Sequence, residues 1–214
     1  MNERLAELIG IIMGDGFLSN CQNHYRIGVV GDPTKEIEYF DHIKSLIKSE
    51  WAKDVKVFQQ ERGLRIVVNS KSIFQTLTSQ YGLPFGKGKS EKIRIPEKLE
   101  KKWSVVKHII RGLVDTDGSV FTSNKRGAPN YPSIEISTNS NFLAIQLREI
   151  LISRGFRVAN IWKYQSKKSK HPSYKVSLNG YENIEKWLRE IGFSNPRKRR
   201  IAEQIVKVSN PKPS

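Results

Sequence analysis

Leu5–Gly16 reads LAELIGIIMGDG, and Ile109–Gly118 reads IIRGLVDTDG. Both are apolar runs that end in Asp-Gly. Aligned on that ending, Gly10 meets Gly112, Ile11 meets Leu113, Ile12 meets Val114, Asp15 meets Asp117 and Gly16 meets Gly118, an offset of 102 in a chain of 214 residues. A repeat at half length predicts two similar units about a pseudo-twofold axis. In the first copy Leu5, Leu8, Ile9, Ile12 and Met13 recur at helical spacing. Gly10 and Gly14, four apart, leave one side nearly bare. A helix-interior glycine costs about 1 kcal/mol against alanine, which close approach by a second helix would offset. The second copy has Gly112 and Thr116, small again. The two helices are therefore expected to pack together and to bring Asp15 and Asp117 to one end of their seam. Carboxylates held close raise each other's pKa. Hard divalent cations relieve that repulsion, and Mg²⁺ takes one or two protein carboxylates, with phosphate oxygens and waters completing its shell.

Composition points to a polyanionic partner. The formal net charge is +16 and the pI about 9.9. The excess is uneven: +4 over residues 1–102 and +12 over residues 103–214. No apolar run reaches membrane-spanning length, and early charges at Glu3, Arg4 and Glu7 argue against a signal peptide. The lone Cys21 excludes an internal disulfide and fits a reducing, intracellular compartment, either the nucleoid region of a prokaryotic cytoplasm or an organelle. Four scattered His give no zinc-site spacing.

Between the two motifs the chain reads as strands and helices. Phe17–Ser19 and His24–Val30 form a hairpin. Asp32-Pro33 ends it and starts a helix whose apolar face is Ile37, Phe40, Ile43, Leu46 and Ile47. Asp54–Glu61 and Leu64–Asn69 read as paired strands, with Leu64, Ile66 and Val68 inward. Ser70–Tyr81 reads as a short helix that Gly82 stops. The second half repeats this order. Ser119–Thr122 and Tyr131–Thr138 flank a basic loop, Ser123–Asn130. A helix over Asn139–Arg154, strands at Val158–Gln165 and Tyr174–Leu178, a helix over Gly180–Ile191 and a last one over Ile201–Val208 follow. Arg111 and Asp115, four apart on the second motif helix, read as an ion pair. The fold class is α+β, each unit helix, two strands, helix, two strands, helix, with the strands in one antiparallel sheet covered on one face. The expected division is residues 1–86, a basic connector at 87–102, and residues 103–214. The connector's Gly86–Ser90, GKGKS, lacks the spacing of a nucleotide-binding phosphate loop.

The bare sheet faces carry the candidate nucleic-acid contacts, since Arg, Lys, Asn and Gln suit base edges and phosphates. In the first half these are Arg26, Lys56, Gln60, Arg65 and Asn69, with Lys87 from the connector. In the second they are Ser119, Lys125, Arg126, Glu135, Lys163, Gln165, Lys167, Lys175 and Ser177. A solvated polar face is the ordinary alternative for an antiparallel sheet.

The two motifs and their spacing resemble the LAGLIDADG homing endonucleases in their single-chain, two-repeat form. IIRGLVDTDG is a near-complete match. LAELIGIIMGDG departs from it at Met13 and Gly14. GKGKS with Ile95-Pro96 is similar to a segment of archaeal members. The resemblance implies two pseudo-symmetric αββαββα repeats whose sheets form a DNA-binding saddle. It implies that Asp15 and Asp117 bind divalent ions, with Gly14 and Thr116 adjoining, and that each acid serves one strand of a staggered double-strand cut across the minor groove. Mg²⁺ is the expected ion, with Mn²⁺ substituting and Ca²⁺ binding without supporting cleavage. The partner implied is double-stranded DNA with a long asymmetric target, bound by a monomer. Family members with Gln or Lys after the second strand use it to support the site. Here those places hold Gly31, Asp32, Thr138 and Asn139, so Lys89 and Lys198 are the candidate basic groups. The chain reads as an intron-encoded or free-standing enzyme rather than an intein. The alternatives are a cleavage-inactive RNA maturase acting on intron RNA, a DNA-binding regulator of the same fold, and a basic RNA-binding protein with a coincidental repeat.

Overall fold

The computed structural model describes residues 1–60, 63–125, 127–167 and 169–209, apart from the side chains of Gln60 and Ser209. The first repeat runs α1 (Glu3–Met13), β1 (Gly16–Cys21), β2 (His24–Gly31), α2 (Ile37–Trp51), β3 (Phe58–Gln60), β4 (Gly63–Asn69) and α3 (Lys71–Gln75), the last continued by a π-helical turn at Thr76–Gln80. Two single-turn helices, α4 (Lys89–Lys92) and α5 (Glu97–Glu100), lie in the connector. The second repeat runs α6 (Trp103–Asp117), β5 (Gly118–Lys125), β6 (Ala128–Thr138), α7 (Asn141–Ser153), β7 (Trp162–Tyr164), β8 (Ser173–Asn179), α8 (Tyr181–Glu190) and α9 (Pro196–Ser209). Each repeat has one antiparallel four-stranded sheet, in the orders β1-β2-β4-β3 and β5-β6-β8-β7.

The core is built around α1 and α6. Asn2 caps α1 by accepting from Leu5 N (2.8 Å), and every residue from Ala6 to Met13 is buried. The glycines explain the close approach. A Cβ on Gly10 would stand 2.8 Å from the Ile109 carbonyl carbon and nearer still to its oxygen. A Cβ on Gly112 would press on the Glu7 carbonyl in the same way. Ile109 is the repeat-mate of Glu7, so the two contacts are twofold partners of each other. The inner faces of the sheets close over this pair. Leu64, Ile66 and Val68 of β4 and Val176 and Leu178 of β8 are at most 4% exposed.

Several expected boundaries move. Asp32-Pro33 forms a turn instead of opening a helix. The Asp32 carboxylate accepts from Thr34 N (2.8 Å), Thr34 Oγ1 (2.7 Å) and Lys35 N (3.1 Å), and α2 starts only at Ile37. The outer strands are short. In the described part of Asp54–Glu61, which ends at Gln60, the strand is β3, and Val158–Gln165 contracts to β7 plus a lone bridge from Val158 to Leu178. Both lie at sheet edges, where one neighbour supplies all the ladder bonds. Conversely, Ser123–Asn130 is mostly strand. β5 and β6 stay paired out to Lys125 and Ala128, past a bulge between Ser123 and Lys125. Lys125 Nζ sits 4.2 Å from the Tyr131 ring centroid, which gives that polar stretch a packing partner. The last helix begins at Pro196, ahead of the expected Ile201. Among the described residues, no helix is long and apolar enough to cross a membrane.

Candidate active site at the crossed helix ends

Asp117 is the last residue of α6, and Asp15 follows α1 by two residues. The close glycine packing holds the two helix ends together, and a Cβ added to Gly14 would lie 3.3 Å from an Asp117 carboxylate oxygen. Asp117 opens into a cleft also lined by Gly14, Lys89, Thr138 and Asn139. Asp117 is exposed to solvent at this cleft. Desolvation by the protein around its carboxyl, together with the Asp15 charge, pushes it up to about 7 against the pull of Lys198 and Lys89. Asp15 is raised for the same first reason, burial, and then by Glu36.

Each helix end carries a lysine. Lys89 Nζ donates to the carbonyls of Ile12 (2.6 Å) and Gly16. Lys198 Nζ donates to those of Val114 (2.8 Å), Asp115 (2.8 Å) and Thr116 (2.9 Å). Ile12 and Val114 are repeat-mates, so the two ammonium groups occupy equivalent places although they come from different sequence contexts. Both donate to carbonyls at or just past a helix C-terminus and meet the negative end of a helix dipole. Burial holds both lysines at about 8. Lys198 is buried and Lys89 half-buried. The Thr116 hydroxyl turns back onto the Gly112 (3.0 Å) and Leu113 (2.8 Å) carbonyls.

The sequence reading gave no site role to three acidic residues near the seam. Glu36 is buried, accepts from Asp32 N (2.8 Å) and raises both site carboxyls. Nothing in its local pattern marks it, since it sits in a turn. Asp115 does not pair with Arg111 as expected. It is fully buried and accepts from Ser194 N (2.8 Å), while its carbonyl accepts from Asn195 Nδ2 (3.1 Å). It thereby docks the start of α9 on α6 and brings Lys198 to the site. Arg111 instead donates across the seam to Glu7, which also lies 2.8 Å from His42 Nε2.

The outward sheet faces collect about half of the candidate contacts. Arg26 and Asn69 face each other on β2 and β4, and Arg65 follows on β4. Ser119, Glu135 and Ser177 share one rung of the second sheet, with Lys175 on the next. Lys175 and Glu135 form an ion pair at 2.8 Å. Lys56, Lys87, Lys125, Gln165 and Lys167 are exposed, Lys56, Lys87, Gln165 and Lys167 in segments outside the strands. Gln60 pairs through its backbone with Gly63, but its side chain, like the whole of Arg126, lies outside the described residues. Lys163 is a correction. Trp162 pairs with Lys175, so Trp162 and Tyr164 take the outward face, and Lys163 the opposite one with Tyr174. The outward assignment of Lys163 followed from alternation alone, which fails at an edge strand exposed on both sides.

Two antiparallel sheets flanking a crossed pair of glycine-packed helices, with an acid at each helix end, make the LAGLIDADG fold in its two-repeat, single-chain form. Residues 104–192 match the family model described as a LAGLIDADG-like domain. The structure is similar to I-DmoI in complex with DNA and Mn, with a TM-score of 0.63 and 16% identity over 90% of this chain and 97% of that one. It is also similar to full-length DUF199/WhiA from Thermatoga maritima, with a TM-score of 0.59 and 16% identity over 99% of this chain and 62% of that one. Among curated proteins, the chain is 27% identical over 208 residues to the replication factor C small subunit of Thermococcus kodakarensis, covering 97% of this chain and 22% of that protein. It is 26% identical over 207 residues to the tRNA-splicing ligase RtcB of Methanopyrus kandleri, covering 88% of this chain and 20% of that protein. The chain thus spans about a fifth of the length of these two relatives.

Proposed function

We propose that the protein is a metal-dependent DNA endonuclease that makes a staggered double-strand break in a long, asymmetric target. The observation that carries this reading is the pair Asp15 and Asp117, held at adjoining helix ends with Lys89 and Lys198 anchored beside them. The donor set fits a divalent cation. Both carboxyls are raised, first by burial and then by a neighbouring negative charge, Asp15 for Asp117 and Glu36 for Asp15, and a bound 2+ ion would offset that charge. Among the described residues no group of three or more His, Cys, Asp or Glu forms a closed metal cage, and one or two carboxylates is the usual protein share for Mg²⁺. When bound, such an ion supplies Lewis acidity and a more acidic water.

The chain's own residues then have distinct tasks. Asp15 and Asp117 concentrate negative charge at two points on one seam, one for each strand. Lys89 and Lys198 hold fixed positive charge next to them, where a phosphate gains charge in the transition state. The outward faces differ, with Arg26, Arg65 and Asn69 on one sheet and Ser119, Ser177 and the Glu135–Lys175 pair on the other. That difference supports unequal half-sites. The recurrence of a segment of about this length in archaeal proteins whose names share no activity supports a self-contained mobile module.

A cleavage-inactive regulator or maturase is the second reading, since the fold is shared with DUF199/WhiA, whose name states no nuclease activity. Incubation with a randomised DNA library and Mg²⁺, followed by sequencing of the ends, separates the two. Recurrent staggered breaks at one site, lost in Asp15→Asn and Asp117→Asn, are expected. Selective binding without breaks in Mg²⁺ and in Mn²⁺ would favour the regulator, and no DNA selection at all would remove the nuclease and the DNA-binding regulator alike and leave the RNA maturase.

A further inference from the structure

The outward faces of the two sheets correspond rung by rung. Across β2, β4 and β3, Val30 pairs with Arg65, and Arg65 with Phe58. Across β6, β8 and β7, Ser137 pairs with Lys175, and Lys175 with Trp162. Val29 and Ile136 hold the same place opposite Gly16 and Gly118. The repeat therefore maps Arg65 onto Lys175 and Phe58 onto Trp162. Each edge strand carries an aromatic ring beside a cation, at the same position in both halves.

These rings are not core residues. Phe58 is 54% exposed and Trp162 53%. Tyr164 stacks on Trp162 at 5.3 Å and 19°, and Lys175 Nζ lies 5.2 Å from the Trp162 ring centroid. One exposed ring is ordinary. Edge strands, however, are normally blunted with charge, and here two independent sequences place an aromatic on the same rung.

We propose that Phe58 and Trp162 each seat the 5-methyl group of a thymine in the major groove, one in each half-site, while Arg65 and Lys175 donate to the acceptor edge of a neighbouring base pair. The proposal rests on the reading that these faces meet duplex DNA. The net charge of +16 selects a polyanion over an apolar peptide. In a duplex the base faces are already stacked, and the thymine methyl is the apolar feature that the major groove displays. Trp162 has Tyr164 against its ring and Lys175 over it, so its rim is the part on offer. Arg and Lys are suited to guanine O6 and N7 beside such a methyl.

The test replaces single thymines by deoxyuridine, which removes only the methyl, along the DNA site recovered from the library. Binding is measured with Ca²⁺ in place of Mg²⁺. One position in each half-site is expected to lose about fourfold in affinity, the worth of one buried methyl-sized group. Trp162→Ala should abolish the thymine–uracil difference in its half-site and leave the other intact, Phe58→Ala should do the reverse, and Trp162→Phe should retain it. A bound and cleaved target with no methyl-sensitive thymine would overturn this proposal alone, as would sensitivity that survives both alanine variants. Failure to select any DNA would overturn it together with the nuclease reading.

Discussion

The sharpest test of the architecture is Gly10→Ala, alone and with Gly112→Ala. The new Cβ on residue 10 would stand 2.8 Å from the Ile109 carbonyl carbon and 2.9 Å from Leu113 N. Carbon atoms settle at roughly 3.5 Å or more, so the helices must part by at least about 0.7 Å. The obstacle is backbone, which cannot rotate away as a side chain can. Overpacking of this kind costs about 1–3 kcal/mol and occasionally more, and a backbone clash belongs at or above the top of that range. Alanine's better helix propensity returns about 1 kcal/mol. The net expectation is a loss of about 2 kcal/mol, read as a fall in Tm of about 4–8 °C for a chain of this size. The double variant should lose less than twice as much, because one separation relieves both clashes. Thermal unfolding followed by circular dichroism measures this. A Tm that stays level or rises would show that the glycines do not face each other's helix, and the placement of Asp15 and Asp117 would fall with it.

Three further outcomes follow from the site and the surface. Lys89→Met and Lys198→Met should each slow cleavage on the order of 10²-fold, and each should slow one strand more than the other, so that nicked circles accumulate from a supercoiled plasmid carrying the target; equal slowing of both strands would detach the lysines from separate centres. Glu7 is held at about 2, below its ordinary 4.5, by His42 and Arg111 despite its burial. A carboxylate depressed in the folded state stabilises fully above its ordinary pKa, and that contribution drains away as pH falls from about 4.5 towards 2. The gap is worth at most about 3 kcal/mol, so urea midpoints of the wild type should drop through that window while those of Glu7→Gln should drop less. Affinity for the target should fall by roughly 10³-fold or more between 50 and 200 mM salt if six or more phosphates are neutralised, and a flat response in a filter-binding titration would argue against phosphate-dominated binding.

The parts of the fold that could be read from sequence are those with a strong period or a strong cost. Glycines at Gly10 and Gly112 inside apolar helices demand a close neighbour, and that demand locates the seam. Leu64, Ile66 and Val68 alternate cleanly because one face of β4 is covered. The lysines were harder. Lys198 occupies the place equivalent to Lys89, yet it arrives on a fourteen-residue helix, whereas Lys89 heads a four-residue one. Their shared role lies in which carbonyls they reach, and no linear spacing encodes that. Glu36 and Asp115 were missed for the same reason. A buried acid is defined by what surrounds it, and their surroundings are assembled from segments 80 residues and more away. Lys163 went wrong because alternation is informative only where one face is buried, and both faces of β7 are exposed.

The seam also carries a device that the glycines cannot supply. The glycine contacts are self-complementary, so two copies of α1, or two of α6, would fit each other as well as α1 fits α6. Glu7 and Arg111 break that equivalence. Their repeat-mates are Ile109 and Ile9, so the charge pair exists only between unlike helices. Two copies of α1 packed in the same way would bring Glu7 against Ile9. Losing Arg111 would leave Glu7 with His42 alone to offset its burial, which disfavours a homotypic seam. Arg111 and Glu7 therefore add little to stability beyond the apolar pair that could replace them, but they dictate which helices meet. The consequence for chemistry is direct. Only the α1–α6 pairing sets Asp15 beside Asp117, with Lys89 on one side and Lys198 on the other, and only unlike halves present two different sheet faces, as the proposed asymmetric target would require.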